Sequence, residues 1–221
     1  RSNFVRYLVE FCDGVEDGKD HVRAFNTTTL IRSYPIGIDP HAFTQASVSE
    51  DARAAGAKIG SILGERQLVI GVDRMDYSKG LPERFAAVGE FFDSYPEMRG
   101  RVSVTQIAPP SRSMVEEYKE LREELDRLAG RVNGDHGDLD WIPLRYLARA
   151  YQRDELAGLF RIARAGLVTP LRDGMNLVAK EFVMAQNAMD PGVLILSEFA
   201  GAAEQLHDAI IVNPLDTQRV A

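Results

Sequence analysis

Residues 67–92, QLVIGVDRMDYSKGLPERFAAVGEFF, hold a strand, a polar loop and a helix in one unbroken run. Residues 67–73 are a short apolar run rich in Val and Ile, bounded by Arg66 and Arg74, and read as a buried strand. Leu81, Phe85, Val88, Phe92 and Tyr95 then recur at helical spacing, with Pro82 in the first turn and Pro96 just past the end. Downstream the alternation repeats. Residues 101–108 (RVSVTQIA) are a second strand, broken by Pro109-Pro110, and residues 111–128 a charged helix with Val115, Tyr118, Leu121, Leu125 and Leu128 as its stripe. Residues 133–140 (NGDHGDLD) read as a loop and 141–144 as a short strand. A helix over 154–164, a strand over 166–170, a loop over 171–174 and a helix over 175–188 follow. The last strands are 192–198 (GVLILSE) and 209–214 (AIIVNP), with a helix over 201–207 between them, and Asp216 caps a final helix.

Strands that alternate with helices predict a parallel sheet with helices on both faces. The strands are continuous apolar runs, as a sheet covered on both sides demands. The fold class is therefore α/β, a doubly wound parallel sheet. Upstream the pattern is weaker. Residues 4–11 look like the end of a helix, 21–26 and 33–38 like strands, and 47–63 like an Ala-rich helix with Ser49, Glu50 and Asp51 at its start. The turn around Tyr34-Pro35-Ile36-Gly37-Ile38-Asp39-Pro40 reads as a connector between two lobes.

The 221 residues carry 26 basic and 33 acidic side chains, a net charge of −7. Such a chain lacks the electrostatic footprint for nucleic acid or an anionic membrane surface. A phosphate ligand would need a few placed cations instead. Cys12 is the one cysteine, so no intramolecular disulfide forms and a reducing, cytoplasmic setting is expected. No apolar run reaches the roughly 18 residues of a membrane span, and no secretory signal opens the chain. The chain starts at Arg1 and stops at Ala221 within a helical turn, and we expect a piece of a longer protein.

In an open parallel sheet, ligands sit beyond the carboxyl ends of the strands, so the loops there matter most. The first runs Arg74-Met75-Asp76-Tyr77-Ser78-Lys79-Gly80. Two cations before a helix start suit a diphosphate, although charges on a solvated turn would look the same. The second, Pro109-Pro110-Ser111-Arg112-Ser113, offers Arg112 to a second anion, or to water. The third is Leu171-Arg172-Asp173-Gly174, followed by Met175, Asn176, Leu177, Val178, Ala179, Lys180 and Glu181. Gly174 permits a sharp turn, backbone N–H groups open a helix, and Glu181 lies two turns after Asp173. There a carboxylate could accept both hydroxyls of a sugar or ribose. The plainer alternative makes Asp173 a helix cap and Glu181 a surface residue.

Several chemistries lack their motifs. GxGxxG after a strand, GxxxxGK[ST] and GxSxG are all absent. His21, His41, His136 and His207 are scattered without metal-ligand spacing.

The segments at 71–80 (GVDRMDYSKG), 108–112 (APPSR), 133–147 (NGDHGDLDWIPLRYL), 166–182 (GLVTPLRDGMNLVAKEF) and 196–206 (LSEFAGAAEQL) together resemble the trehalose-6-phosphate synthase family of retaining glucosyltransferases. The resemblance implies the C-terminal, Rossmann-like donor lobe of a two-lobed GT-B enzyme over residues 39–221, truncated at its end. Residues 1–38 would be a remnant of the N-terminal acceptor lobe with the connector. Arg74 and Lys79 would hold the diphosphate of UDP-glucose. Asp173 would hold hydroxyls of the transferred glucose, with backbone of Gly174, Met175 and Asn176 near sugar and phosphate, and that of Leu177 and Val178 on the phosphates. Glu181 would take the ribose, the backbone of Tyr151 the uracil, and Arg112 the phosphate of glucose 6-phosphate. Arg74, Lys79 and Asp173 would be the catalytic set, with no metal and no cofactor.

The implied reaction moves glucose from UDP-glucose to glucose 6-phosphate with retention, giving trehalose 6-phosphate and UDP, while this piece alone would chiefly bind donor. A glucosylglycerol-phosphate synthase with the same donor lobe, or a non-catalytic nucleotide-sugar-binding module, stays open. So do acceptor identity, base preference, regulation and any homo-oligomer of the full-length protein.

Overall fold

The computed structural model describes residues 1–110 and 116–221, so Arg112 and the start of the helix expected from 111 lie outside the described residues. The chain divides into two compact units, Arg1–Ile36 and Gly37–Ala221.

In the first unit, helix α1 (Ser2–Phe11) precedes strands β1 (Val15–Glu16), β2 (His21–Ala24) and β3 (Thr27–Leu30), an antiparallel sheet in that order. Its small core is Val5, Leu8, Val22 and Ile31, with Cys12 half-buried against them. The strand expected over 33–38 is not there; β3 takes its place. Phe25 and Asn26 both have positive φ, 52° and 59°. Their left-handed pair closes a two-residue hairpin, a turn usually written with Gly.

The second unit contains α2 (Pro40–Ala46), α3 (Glu50–Leu63), β4 (Gln67–Val72), α4 (Leu81–Ser94), β5 (Val102–Ile107), α5 (Glu116–His136), β6 (Leu144–Leu147), α6 (Arg153–Ile162), β7 (Ala165–Val168), α7 (Leu177–Ala185), β8 (Val193–Ser197), β9 (Ile210–Val212) and α8 (Thr217–Val220). The helix expected over 47–63 starts later, because Ser49 caps it by accepting from the Ala52 N–H at 3.2 Å. Ahead of it α2 is capped by Asp39. Residues 133–136, expected in a loop, are the last turn of α5. The Asn133 amide both donates to the Leu144 carbonyl and accepts from its N–H, each at 2.9 Å, pinning the helix end to β6. The strand expected over 141–144 moves to β6. Trp141 is instead a buried wedge donating to the Val102 carbonyl. The helix expected over 201–207 is a single 3-10 turn, Gly201–Glu204.

The six-stranded sheet is all parallel, in the order β6-β5-β4-β7-β8-β9. Its pleat alternates as a doubly covered sheet requires. Leu68, Ile70 and Val72 of β4 join the core under α2, α3, α6 and α7. Val69 faces the other core, where Phe85, Phe92, Leu121 and Leu125 of α4 and α5 meet. From β4 the chain steps outward through β5 to β6, then returns to the other side of β4 as β7. The direction of winding reverses between β4 and β7, and a crevice opens at their carboxyl ends.

Candidate active site

Two of the three loops read from the sequence emerge at that reversal. The loop after β4 carries Arg74 and Lys79, and the loop after β7 carries Asp173. The Lys79 ammonium reaches the Asp173 carboxylate at 2.5 Å, with both side chains about 15% exposed (14% and 16%). The backbones lock too, because the Arg172 N–H donates to the Ser78 carbonyl at 3.1 Å. Gly80 makes this approach feasible. Its φ is +62°, and a Cβ there would lie 2.8 Å from the Thr169 carbonyl oxygen.

Asp76 organises the first loop. One carboxylate oxygen accepts from the Ser78 N–H at 3.0 Å and its hydroxyl at 2.7 Å, and the other from the Tyr118 hydroxyl at 3.2 Å. Partial burial alone would push the Asp76 carboxyl up. The Ser78 and Tyr118 hydrogen bonds and the Arg74 charge outweigh that and hold it below the usual value. Arg74 is exposed on this loop, and among the described residues it has no hydrogen bond or ion pair.

The second loop is moulded by residues 199–202. The Asp173 N–H donates to the Phe199 carbonyl at 3.2 Å, the Gly201 N–H to the Asp173 carbonyl at 3.3 Å, and the Ala202 N–H to the Met175 carbonyl at 2.7 Å. The cap of α7 is Asn176, not Asp173. The Asn176 side chain accepts from the Ala179 N–H at 3.0 Å and donates to the Asp173 carboxylate at 3.0 Å, with φ at +68°. That frees Asp173 for Lys79 and for whatever enters the crevice. Leu177 and Val178 open the helix, where N–H groups lack intrahelical partners and the dipole favours an anion. Gly174 is exposed on open space, and Met175 is half-buried. Glu181 is half-buried on the same helix. Burial pushes its carboxyl up, against the opposing charge of Arg153.

Tyr151 lies apart, between β6 and α6. Its hydroxyl accepts from Arg149 Nε at 2.8 Å, and the Arg149 guanidinium stacks 4.5 Å above its ring. Lys79, Asp173 and Asn176 thus form one connected cluster. Arg74 shares its loop and Glu181 its helix, and among the described residues neither bonds to it.

Beneath the loops is a group that sequence reading missed. Arg84 of α4 is almost fully buried and pairs with Asp73, the residue that follows β4. It also donates to Gln106 Oε1 at 2.7 Å, to the Thr169 hydroxyl at 2.9 Å and to the Lys79 carbonyl at 3.4 Å. The signal was present in the sequence: an arginine between Leu81 and Phe85 on the apolar stripe, and polar Thr105 and Gln106 inside a doubly covered strand.

Among the described residues no group of three or more His, Cys, Asp or Glu could hold a metal ion, and no helix is long and apolar enough to cross a membrane.

The chain superposes on an alpha,alpha-trehalose-phosphate synthase (UDP-forming) from Burkholderia xenovorans in complex with glucose-6-phosphate. The TM-score is 0.96 at 43% identity, covering 99% of this chain and 49% of that one. An E. coli trehalose-6-phosphate structure bound with UDP-2-fluoro glucose gives a TM-score of 0.94 at 43% identity, over 98% of this chain and 48% of that one. Topology, crevice and these neighbours define the class as a Rossmann-like lobe of the GT-B glycosyltransferase type. The profile of glycosyltransferase family 20 matches residues 1–221, and the chain belongs to that family. Among curated relatives, the trehalose-6-phosphate synthase of Sodalis glossinidius is 47% identical over 214 residues, which is 97% of this chain and 45% of the relative. The chain thus spans about half the length of the relatives it matches.

Proposed function

We propose that this chain is the donor-binding lobe of a UDP-forming trehalose-6-phosphate synthase, which transfers glucose from UDP-glucose to glucose 6-phosphate with retention. One observation carries the reading: Lys79 and Asp173 meet across the reversal point of the sheet, beside a capped helix start. The Lys79 ammonium has three N–H donors. Asp173 takes one, and the others can face phosphate oxygens. The same contact ties the group that grips diphosphate to the carboxylate that would accept sugar hydroxyls. Relatives that carry glucose-6-phosphate or a fluorinated UDP-glucose support both substrate assignments.

In the transfer, the bond between the anomeric carbon and the phosphate oxygen breaks and UDP departs with the electron pair. The acceptor hydroxyl bonds to that carbon from the same face, and its proton passes to the departing phosphate oxygen. Charge accumulates on the diphosphate as the sugar becomes oxocarbenium-like, so preorganised cations act mainly in the transition state. Arg74 and Lys79 supply them. The N–H groups of Leu177 and Val178 would add to the phosphate grip, the backbone of Gly174, Met175 and Asn176 would border sugar and phosphate, Glu181 would take the ribose and Tyr151's backbone the base. Arg112 would meet the acceptor phosphate. No metal enters this scheme, so turnover of the full-length protein is expected to survive excess EDTA in a coupled UDP-release assay.

Calorimetric titration with UDP tests the site. The chain is expected to give binding heat, and Arg74→Ala with Lys79→Ala to abolish it while the fold persists by circular dichroism. A folded parent chain without heat, or unchanged binding in the double variant, overturns the assignment. Assay of the full-length protein against glucose 6-phosphate and glycerol 3-phosphate then settles the acceptor.

A further inference from the structure

The seam between β4 and β7 is open where the chemistry would sit. Pairing between these strands stops at Ile70 opposite Gly166, although β7 continues to Val168. Beyond that point no ladder holds the two strand ends together, and the Arg172 N–H to Ser78 carbonyl bond joins the loops only further out, where Lys79 meets Asp173 at 2.5 Å. Arg84 fills the seam. From α4 its guanidinium reaches the ends of three neighbouring strands: Asp73 after β4, Gln106 on β5 and Thr169 after β7. A fourth contact runs to the carbonyl of Lys79 itself. Space for this is reserved at Gly71, where a Cβ would fall 2.2 Å from Gln106 Oε1 and 2.9 Å from Arg84 Nη1.

We propose that Arg84 is a positioning residue for the donor site: its buried guanidinium replaces the missing strand pairing and sets the distance between the Lys79 loop and the Asp173 loop. The planar fork matters more than the charge, because Asp73 neutralises the charge locally while a four-way reach needs several N–H donors in fixed directions. A lysine keeps the ion pair, but its three donors radiate from a single nitrogen and cannot span acceptors that Arg84 reaches from Nε, Nη1 and Nη2. The proposal rests on the donor-site reading for its functional consequence, but its geometric core does not.

Two measurements on the whole chain test it. In the first, UDP is titrated into the parent chain, Arg84→Lys, Lys79→Ala and the Arg84→Lys/Lys79→Ala pair, at a temperature where all are folded by circular dichroism. Arg84→Lys alone is expected to weaken binding at least tenfold, and less than twofold when Lys79 is already alanine, since residues acting through one contact are not additive. Equal loss in both backgrounds, or unchanged affinity in folded Arg84→Lys, overturns the proposal. The second uses no ligand. A thermal cycle of Lys79→Met and Asp173→Asn is run with Arg84 and with Arg84→Lys. A non-additivity of roughly 2–4 °C is expected with arginine and none with lysine. Coupling that survives Arg84→Lys, or is absent with Arg84 in place, overturns the proposal. If UDP gives no heat with the parent chain, the donor-site reading falls, and the thermal cycle still decides what Arg84 does.

Discussion

Glu181 shows how far a single side chain can be read. Its carboxyl is raised by burial, with Arg153 pulling the other way. If the carboxylate accepts both ribose hydroxyls, protonation removes that acceptor. Nucleotide affinity is then present above the raised pKa and is lost as pH falls through it, starting at a higher pH than an ordinary glutamate would allow. The stability of the chain itself runs in the opposite sense. A carboxyl that protonates more readily when folded than when unfolded gains stability on acidification through the same range. UDP titrations across mildly acidic pH should show the affinity loss, and Glu181→Gln should flatten it. A profile identical in the two proteins would remove Glu181 from the ribose. The types of Arg74, Lys79 and Asp173 were legible because charged residues after buried strands stand out against apolar runs, and Glu181 because it follows Asp173 by two helical turns. The roles of Asn176 and Arg84 were not. A helix cap three residues beyond Asp173 and an arginine aimed inward through a seam depend on directions that sequence spacing does not carry.

Between elements, the approach of α3 to α6 is set by one missing side chain. A Cβ on Gly158 would fall 2.0 Å from the Ala52 carbonyl oxygen and 2.6 Å from its carbon, so the obstacle is backbone that cannot rotate away. Gly158→Ala gains about 1 kcal/mol of helix propensity and meets an overpacking cost of about 1–3 kcal/mol, at the upper end here. A net loss of about 1–2 kcal/mol should lower Tm by roughly 2–8 °C. Gly60→Ala on α3, where an added Cβ would meet nothing within 4 Å beyond its own stretch of helix, should raise Tm instead. Thermal melts of the two variants read the difference directly. The same close packing explains which elements the sequence revealed. Strands β4, β7, β8 and β9 announced themselves as apolar runs, because a strand inside a parallel sheet needs no polar alternation; β5 is the exception, with Ser103, Thr105 and Gln106 within it. The end of α5 did not, since Asn133 and Gly134 look like loop until the Asn133 amide is seen bonded to both sides of Leu144. The hairpin between β2 and β3 was hidden by Phe25 and Asn26, which occupy left-handed positions without a glycine to mark them.

For the molecule as a whole, the question is which part of the chain the donor site needs. Every described residue assigned to the donor lies within Gly37–Ala221, from Arg74 to Glu181, and that unit has cores on both faces of its own sheet. Arg1–Ile36 has a separate core of four residues, Val5, Leu8, Val22 and Ile31. Such a small cluster supplies little stability by itself. A chain cut to residues 37–221 should therefore fold and bind UDP within about twofold of the whole chain, a difference under about 0.4 kcal/mol. Neither form should turn over at the rate of the full-length protein. A retaining transfer needs the acceptor hydroxyl held against the donor carbon, and holding two reactants in register is where much of the barrier reduction arises. The comparison is a UDP titration and a UDP-glucose turnover assay run on both lengths. If residues 37–221 stay folded but lose UDP, the first unit supplies part of the donor site and the division of labour argued above is wrong. If either length forms disaccharide phosphate at the full-length rate, acceptor binding is encoded within these 221 residues, and the search for it begins at Arg112.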